Sequence, residues 1–129
     1  MREERGQAVL VVVLALAISA AAVIGLRTAQ DRIVVAAHAQ RAGEAAVEAA
    51  AQAVADLYGS HAVAPAKLVT DPRALEAARS AADELARLNG ASGVAQVELV
   101  CANKRIEARL VLNGYSHHAG FSAPECSPF

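Results

Sequence analysis

The residues best suited to chemistry in this chain lie toward its C-terminal end. Cys101 and Cys126 are its two cysteines, and His117 and His118 fall between them. Thiolates and imidazoles are the usual zinc ligands, so these four make a candidate metal set. Their arrangement argues against it: adjacent side chains in an extended segment point to opposite sides, and no CxxC or HExxH frame surrounds them. The even pair reads more simply as a disulfide closing a loop of about 25 residues, worth on the order of 3 kcal/mol through the entropy of the unfolded chain. Such a bond belongs outside the reducing cytoplasm. A third reading leaves the thiols unpaired, with Cys101 a buried strand residue.

The other reactive side chains lack a frame. No serine sits in a GxSxG turn, and neither cysteine carries an active-site motif. Glu44 and Glu48 stand one helical turn apart, as paired acids would, but with Arg41 nearby they read as a solvated face. Asp83 and Glu84 read as surface charge. Gly90, Gly93, Gly114 and Gly120 form no phosphate-binding loop. Lys104 and Arg105 are a local basic pair without an aromatic platform, and a net charge of -1 gives no electrostatic ground for nucleic acid. Tyr58, Tyr115, Phe121 and Phe129 read as packing or contact residues, and Tyr115, His117, His118 and Phe121 form a candidate contact segment. The expectation is a protein that is no enzyme, holds no cofactor or metal and binds no nucleic acid.

The elements that position these residues begin with a long apolar helix. Residues 8–26 carry no charge, and at 1.5 Å per residue they span about 28 Å, close to the hydrocarbon thickness of a bilayer. A cleavable signal peptide has a shorter apolar core, although Ser19 to Ala22 resembles an exit site. Basic residues flank both ends nearly evenly, so charge alone does not orient the helix. Beyond Arg27 the chain has no proline and strong helix formers up to Tyr58, which predicts one continuous helix from about Gln7 to Tyr58. Ala29, Ala36, Gly43, Ala50 and Leu57 recur every seven residues, as do Ile33, Gln40, Val47 and Val54. A seam through Ala29, Ile33, Ala36, Gly43, Val47, Ala50 and Val54 admits a neighbouring helix from another subunit; the part near Val47 to Tyr58 is expected to fold back on its own domain, and both uses stay open from Ala29 to Gly43.

With 129 residues, 55% of them hydrophobic but only 3% aromatic, the remainder suffices for one small alanine-rich domain. Pro65 and Pro72 break the helix after Gly59. A second helix begins at a cap on Asp71 or Thr70 with Pro72 in its first turn, and ends at Asn89 and Gly90. Its apolar face is read as Leu75, Ala78, Ala82, Leu85 and Leu88. The period then changes to two. Val97, Leu99 and Cys101 alternate with Gln96, Glu98 and Val100, and Ile106, Ala108, Leu110 and Leu112 with Arg105, Glu107 and Arg109. Asn103 is suited to a left-handed turn between these two strands. The hairpin packs on the two helices or completes a sheet with another chain. The tail NGYSHHAGFSAPECSPF shows no regular period. The fold class is therefore α+β: a cytoplasmic segment 1–7, a transmembrane part 8–26, an extracytoplasmic helical extension 27–58 and a small domain 59–129 with an irregular C-terminal tail.

The stretch ERGQAVLVVVLALAISAAAVIGLRTAQDRIVVAAHAQRAGEAAVEAAAQAVA resembles the N-terminal module of TadE/TadG-like pilus assembly proteins of the tight adherence (Flp pilus) system. Arg5-Gly6-Gln7 before the apolar run, the polar helical extension and the alanine-rich segment 41–55 carry the resemblance, which covers about residues 4 to 56. It implies a bacterial inner-membrane protein with a cytoplasmic N-terminus and an exported domain, either a minor pilin or pseudopilin-like subunit of an adhesive or secretory filament or an uncleaved anchored assembly factor. Its implied partners are the lipid bilayer, other pilin or pilus assembly subunits and a prepilin peptidase acting between Gly6 and Gln7. Val11 stands where many prepilin-like proteins carry a glutamate, so the usual charge partner for a new terminal amine is missing. A binding module on a helical stalk is the alternative from a different class.

Overall fold

The computed structural model describes residues 2–60, 63–94 and 96–126. Phe129, read above as a packing residue, lies outside them. The chain divides into two compact units, Met1–Ala36 and Ala37–Phe129. Helix α1 (Arg2–Ser60) runs without interruption, as the absence of proline and the run of alanines require. Its apolar stretch is long and apolar enough to cross a membrane, and none of it is buried within the protein. Leu10, Val11, Leu16 and Ile24 are 62% or more exposed, so an apolar surface of this size needs lipid or protein around it. The chain is thus a membrane-anchored helix leading into a small domain, the topology of a partly exported protein.

In the second unit, the short helix α2 (Pro65–Leu68) and helix α3 (Pro72–Leu88) precede a three-stranded antiparallel sheet, β1 (Glu98–Ala102), β2 (Arg105–Leu112) and β3 (Tyr115–Ser122), in the order β1-β2-β3. The α+β class stands, with one strand more than the sequence reading had. Asp71 caps α3 through its Oδ1, which accepts the Arg73 N–H at 2.8 Å, and Pro72 fills the first turn. Gly90, at φ 76°, takes the left-handed conformation just past the helix end.

The buried face of α3 is Ala74, Ala78, Ala82 and Ala86, all at 0% exposure, whereas Leu88 is 73% exposed and Leu75 is only half-buried. Of the face expected from sequence, Ala78 and Ala82 are buried as read, while Ala74 and Ala86 take the places given to Leu75, Leu85 and Leu88. Alanines four residues apart form a shallow row that lets other backbone come close, and the leucines flank it. Helix α1 repeats the device with Ala42, Ala46, Ala50 and Val54. Both rows join one core with the inner face of the sheet, where Leu99, Ile106, Ala108, Leu110 and Leu112 are buried.

Two two-residue turns set the register. Asn103 and Lys104 have φ 53° and 59°, and Asn113 and Gly114 have φ 52° and 81°. Positive φ at both central residues matches the right-handed twist of hairpin strands. Residues 105–109 of β2 then lie between partners on the same face: Ile106 between Cys101 and Phe121, Arg109 between Glu98 and His118.

Asp83 departs from its expected role as surface charge. Its Oδ1 accepts the Val94 N–H at 2.9 Å and its Oδ2 pairs with Arg87 Nε at 3.0 Å, while a Cβ on Gly93 would collide with Oδ1. It therefore fastens the junction between α3 and β1. Asp83→Ala is expected to cost about 1–2 kcal/mol, the range for a charge-assisted bond lost at a part-buried amide. Urea unfolding of the detergent-solubilised chain checks this; an unchanged midpoint would return Asp83 to the surface class.

Candidate functional site

The C-terminal cysteines are joined to each other, Cys101 to Cys126, across a sequence separation of 25. This removes both from the metal set. His117 and His118 face opposite sides of the sheet, His117 across from Leu110 and His118 across from Arg109. The four candidate ligands do not converge, and no group of three metal-binding side chains occurs among the described residues.

The bonded tail wraps the first hairpin turn. Ala123 N–H donates to the Lys104 carbonyl at 2.9 Å, and Lys104 N–H donates to the Cys126 carbonyl at 3.1 Å. From the other side, the Tyr58 hydroxyl donates to Glu125 Oε2 at 2.8 Å, and the Tyr58 and Phe121 rings lie 5.6 Å apart. A bond from its own backbone amide, and then the Tyr58 hydroxyl, hold the Glu125 carboxyl below its ordinary range, and the same carboxylate raises the Tyr58 phenol. The lowered carboxyl stabilises the fold above its unfolded pKa, and this contribution disappears as pH falls through the folded value. The raised phenol contributes below its unfolded pKa and is lost as pH rises through the folded one. Tyr58→Phe is therefore expected to remove the alkaline limb of a thermal-stability profile against pH and to flatten the acid limb in part, since the backbone amide still holds Glu125. Unaltered limbs would show that the bond does not persist in solution.

The contact segment read from YSHHAGF does not form one patch. By register Tyr115, His117, Ala119 and Phe121 share the inner face, and Ser116, His118 and Ser122 the outer. Tyr115 is 48% exposed at the inner margin, and His118 is exposed on the outer side. Phe121 is half-buried against Tyr58. His117 is the correction: it is 5% exposed, its Nε2 has no partner, and its ring occupies the space a side chain would fill at Gly43. It is an internal packing residue of the α1–β3 contact.

The seam also divides. Ala29, Ile33 and Ala36 are exposed, with Ile33 at 68%. Gly43, Val47, Ala50 and Val54 are buried in the core of their own domain, which agrees with the fold-back expected near Val47 to Tyr58 and corrects their place in a seam between subunits. A seven-residue repeat cannot distinguish these uses, because both place small residues on one side of a helix. Gly6 and Gln7 lie in the exposed first turns of α1.

Sequence reasoning missed a concavity of about 840 Å³ on the outer face of the sheet, lined by Glu98, Glu107, Arg109, Val111, Ser116 and His118 among others. Its charges are partly paired: Arg109 Nη2 bonds Glu107 Oε2 at 3.0 Å, although Glu98 lies directly across from Arg109. Ser116 and His118 share this face two positions apart, about 7 Å along the strand, too far for a direct hydroxyl–imidazole bond without side-chain rearrangement. The signal that could have revealed this surface was Asn113-Gly114, the strongest short hairpin dipeptide, followed by the alternation of Tyr115, His117, Ala119 and Phe121. No protein-family model matches this chain, and no curated protein or solved structure matches it.

Proposed function

We propose that this protein is a structural component of a membrane-bound filament, a minor pilin or pseudopilin-like subunit of the tight adherence (Flp-type) class that assembles through its N-terminal helix. The observation that carries this reading is the apolar surface of α1 beyond the segment that lipid would cover. Ile33, Val34 and Val35 are 68%, 53% and 68% exposed. They lie about 10–14 Å of helix past Leu26, outside a hydrocarbon layer filled by residues 8–26. Ala29 and Ala36 beside them permit a second helix to approach closely. The mechanism is physical: lipid holds residues 8–26, the exposed seam joins neighbours, and the disulfide-bonded domain is carried on the exported side.

Intact-mass and N-terminal analysis of the native membrane-extracted protein tests the processing that this class implies. A chain beginning at Gln7 supports a prepilin-peptidase product. A chain beginning at Met1 supports an uncleaved assembly factor, and a chain beginning near Ala21 removes the assembly helix and overturns the reading. Ala36→Cys provides the assembly test, since an oxidative cross-link to a filament subunit is expected and its absence counts against helix-mediated assembly. A second reading, a binding module on a helical anchor, draws on the outer-face concavity. Loss of ligand capture in Arg109→Ala, with assembly intact, would favour it.

A further inference from the structure

Strand β3 is an edge strand whose own residues supply none of the usual protection. It has eight residues, Tyr115–Ser122, with no lysine, arginine, aspartate, glutamate or proline among them. Natural edges are blunted by short length, charge, proline or a covering segment, because a row of free amides and carbonyls otherwise recruits another strand. The opposite edge does follow that rule: β1 has five residues, opens on Glu98 and is tied through Cys101 to the tail. No main-chain bond joins β3 to any described segment but β2, and the additional bond it makes is from Arg105 Nη2 to the Gly120 carbonyl at 2.9 Å. At the margin of the same strand Tyr115 is left 48% exposed, although its register places it on the apolar face.

We infer that β3 pairs antiparallel with β3 of a second copy of this chain, joining two three-stranded sheets into one continuous sheet. Strand addition supplies main-chain hydrogen bonds, and the alternation of faces fixes which side chains meet. A two-fold axis at His118 sets Ser116 opposite Gly120 and His117 opposite Ala119, always inner face against inner and outer against outer. The same register sets Tyr115 of each copy opposite Phe121 of the other. Two cross-strand aromatic pairs then cover the tyrosine that one chain leaves exposed. The strand's own side chains carry no formal charge; pairing replaces the Arg105 bond to the Gly120 carbonyl with one from the Ser116 N–H of the second copy, and a shared bilayer raises the concentration of copies near one another. This contact involves no residue of the helix seam and does not depend on the filament reading.

Single cysteines at His118, Glu98 and Ala36, each introduced into the full-length chain in phosphatidylethanolamine–phosphatidylglycerol vesicles, test the pairing by mild oxidation. The native Cys101–Cys126 bond is verified by mass in each case. His118→Cys is expected to give a covalent dimer at least tenfold faster than Glu98→Cys, because the axis brings its two copies face to face. Adding Tyr115→Ser to His118→Cys, a change at an exposed side chain, is expected to reduce the rate severalfold. Equal rates at His118 and Glu98, or no dimer at His118, would overturn strand pairing. A cross-link at Ala36 without one at His118 would do so while leaving helix assembly standing.

Discussion

Alanine in place of Gly43 is expected to destabilise the domain by about 1–3 kcal/mol, the cost of overpacking a core that cannot expand locally. Elsewhere in a helix the same change would stabilise by about 1 kcal/mol through helix propensity. At this position a Cβ would collide with several atoms of the His117 ring. The ring is 5% exposed and held between its own strand and α1, so it has no solvent-facing direction in which to turn. Gly43→Leu should then prevent stable docking of β3 altogether. The informative variant is the pair Gly43→Ala with His117→Ala, in which the new methyl enters space vacated by the ring. It should be more stable than the sum of the single changes predicts by at least about 1 kcal/mol, a coupling expected of residues in direct contact. Urea titration of the detergent-solubilised chain followed by tyrosine fluorescence reads the effect. A neutral or stabilising Gly43→Ala would mean that His117 does not occupy this place.

Loss of the Cys101–Cys126 bond is expected to have the other large effect. For a separation of 25 residues the loop-entropy relation gives about 3.5 kcal/mol. That is a large share of what a domain of this size holds, since half of its core residues are alanines with little apolar area each. The consequence extends past the bond. Cys126 and Ala123 are 1% and 0% exposed, and the tail that carries them also brings Glu125 to Tyr58. Cys101→Ser with Cys126→Ser should lower the urea midpoint strongly and open the tail to proteolysis, while the apolar helix stays intact in detergent. An unchanged midpoint in the double variant would show that tail packing alone holds this end of the domain.

The alternation in RIEARLVL named the inner face of β2 residue by residue, because each strand position has only two directions and the charged ones must face water. Asp71, Pro72 and the Asn89-Gly90 stop were equally legible, since caps act within one turn of the backbone they satisfy. The apolar run 8–26 declared itself by length and lack of charge. The disulfide was readable only as the simplest of three uses for two cysteines.

The tertiary structure decided the rest, wherever one side chain suits two environments. Alanine gives almost no directional signal, so the burial of Ala42, Ala46, Ala74 and Ala86 emerges only when a partner surface closes on them. A glycine at position 43 reads as a gap for a neighbouring subunit until His117 is seen to fill it. Asp83 resembles a solvated acid until the Gly93–Val94 backbone is brought to it from a junction eleven residues away. Sequence by itself determined α1 with its membrane part, α3 and the β1–β2 hairpin, which depend on short-range sterics, capping and polarity, whereas α2 and β3 came only with the structure. Only the folded domain decided which small residues serve its own core and which are left free for others, because that choice depends on long-range contacts no local pattern encodes.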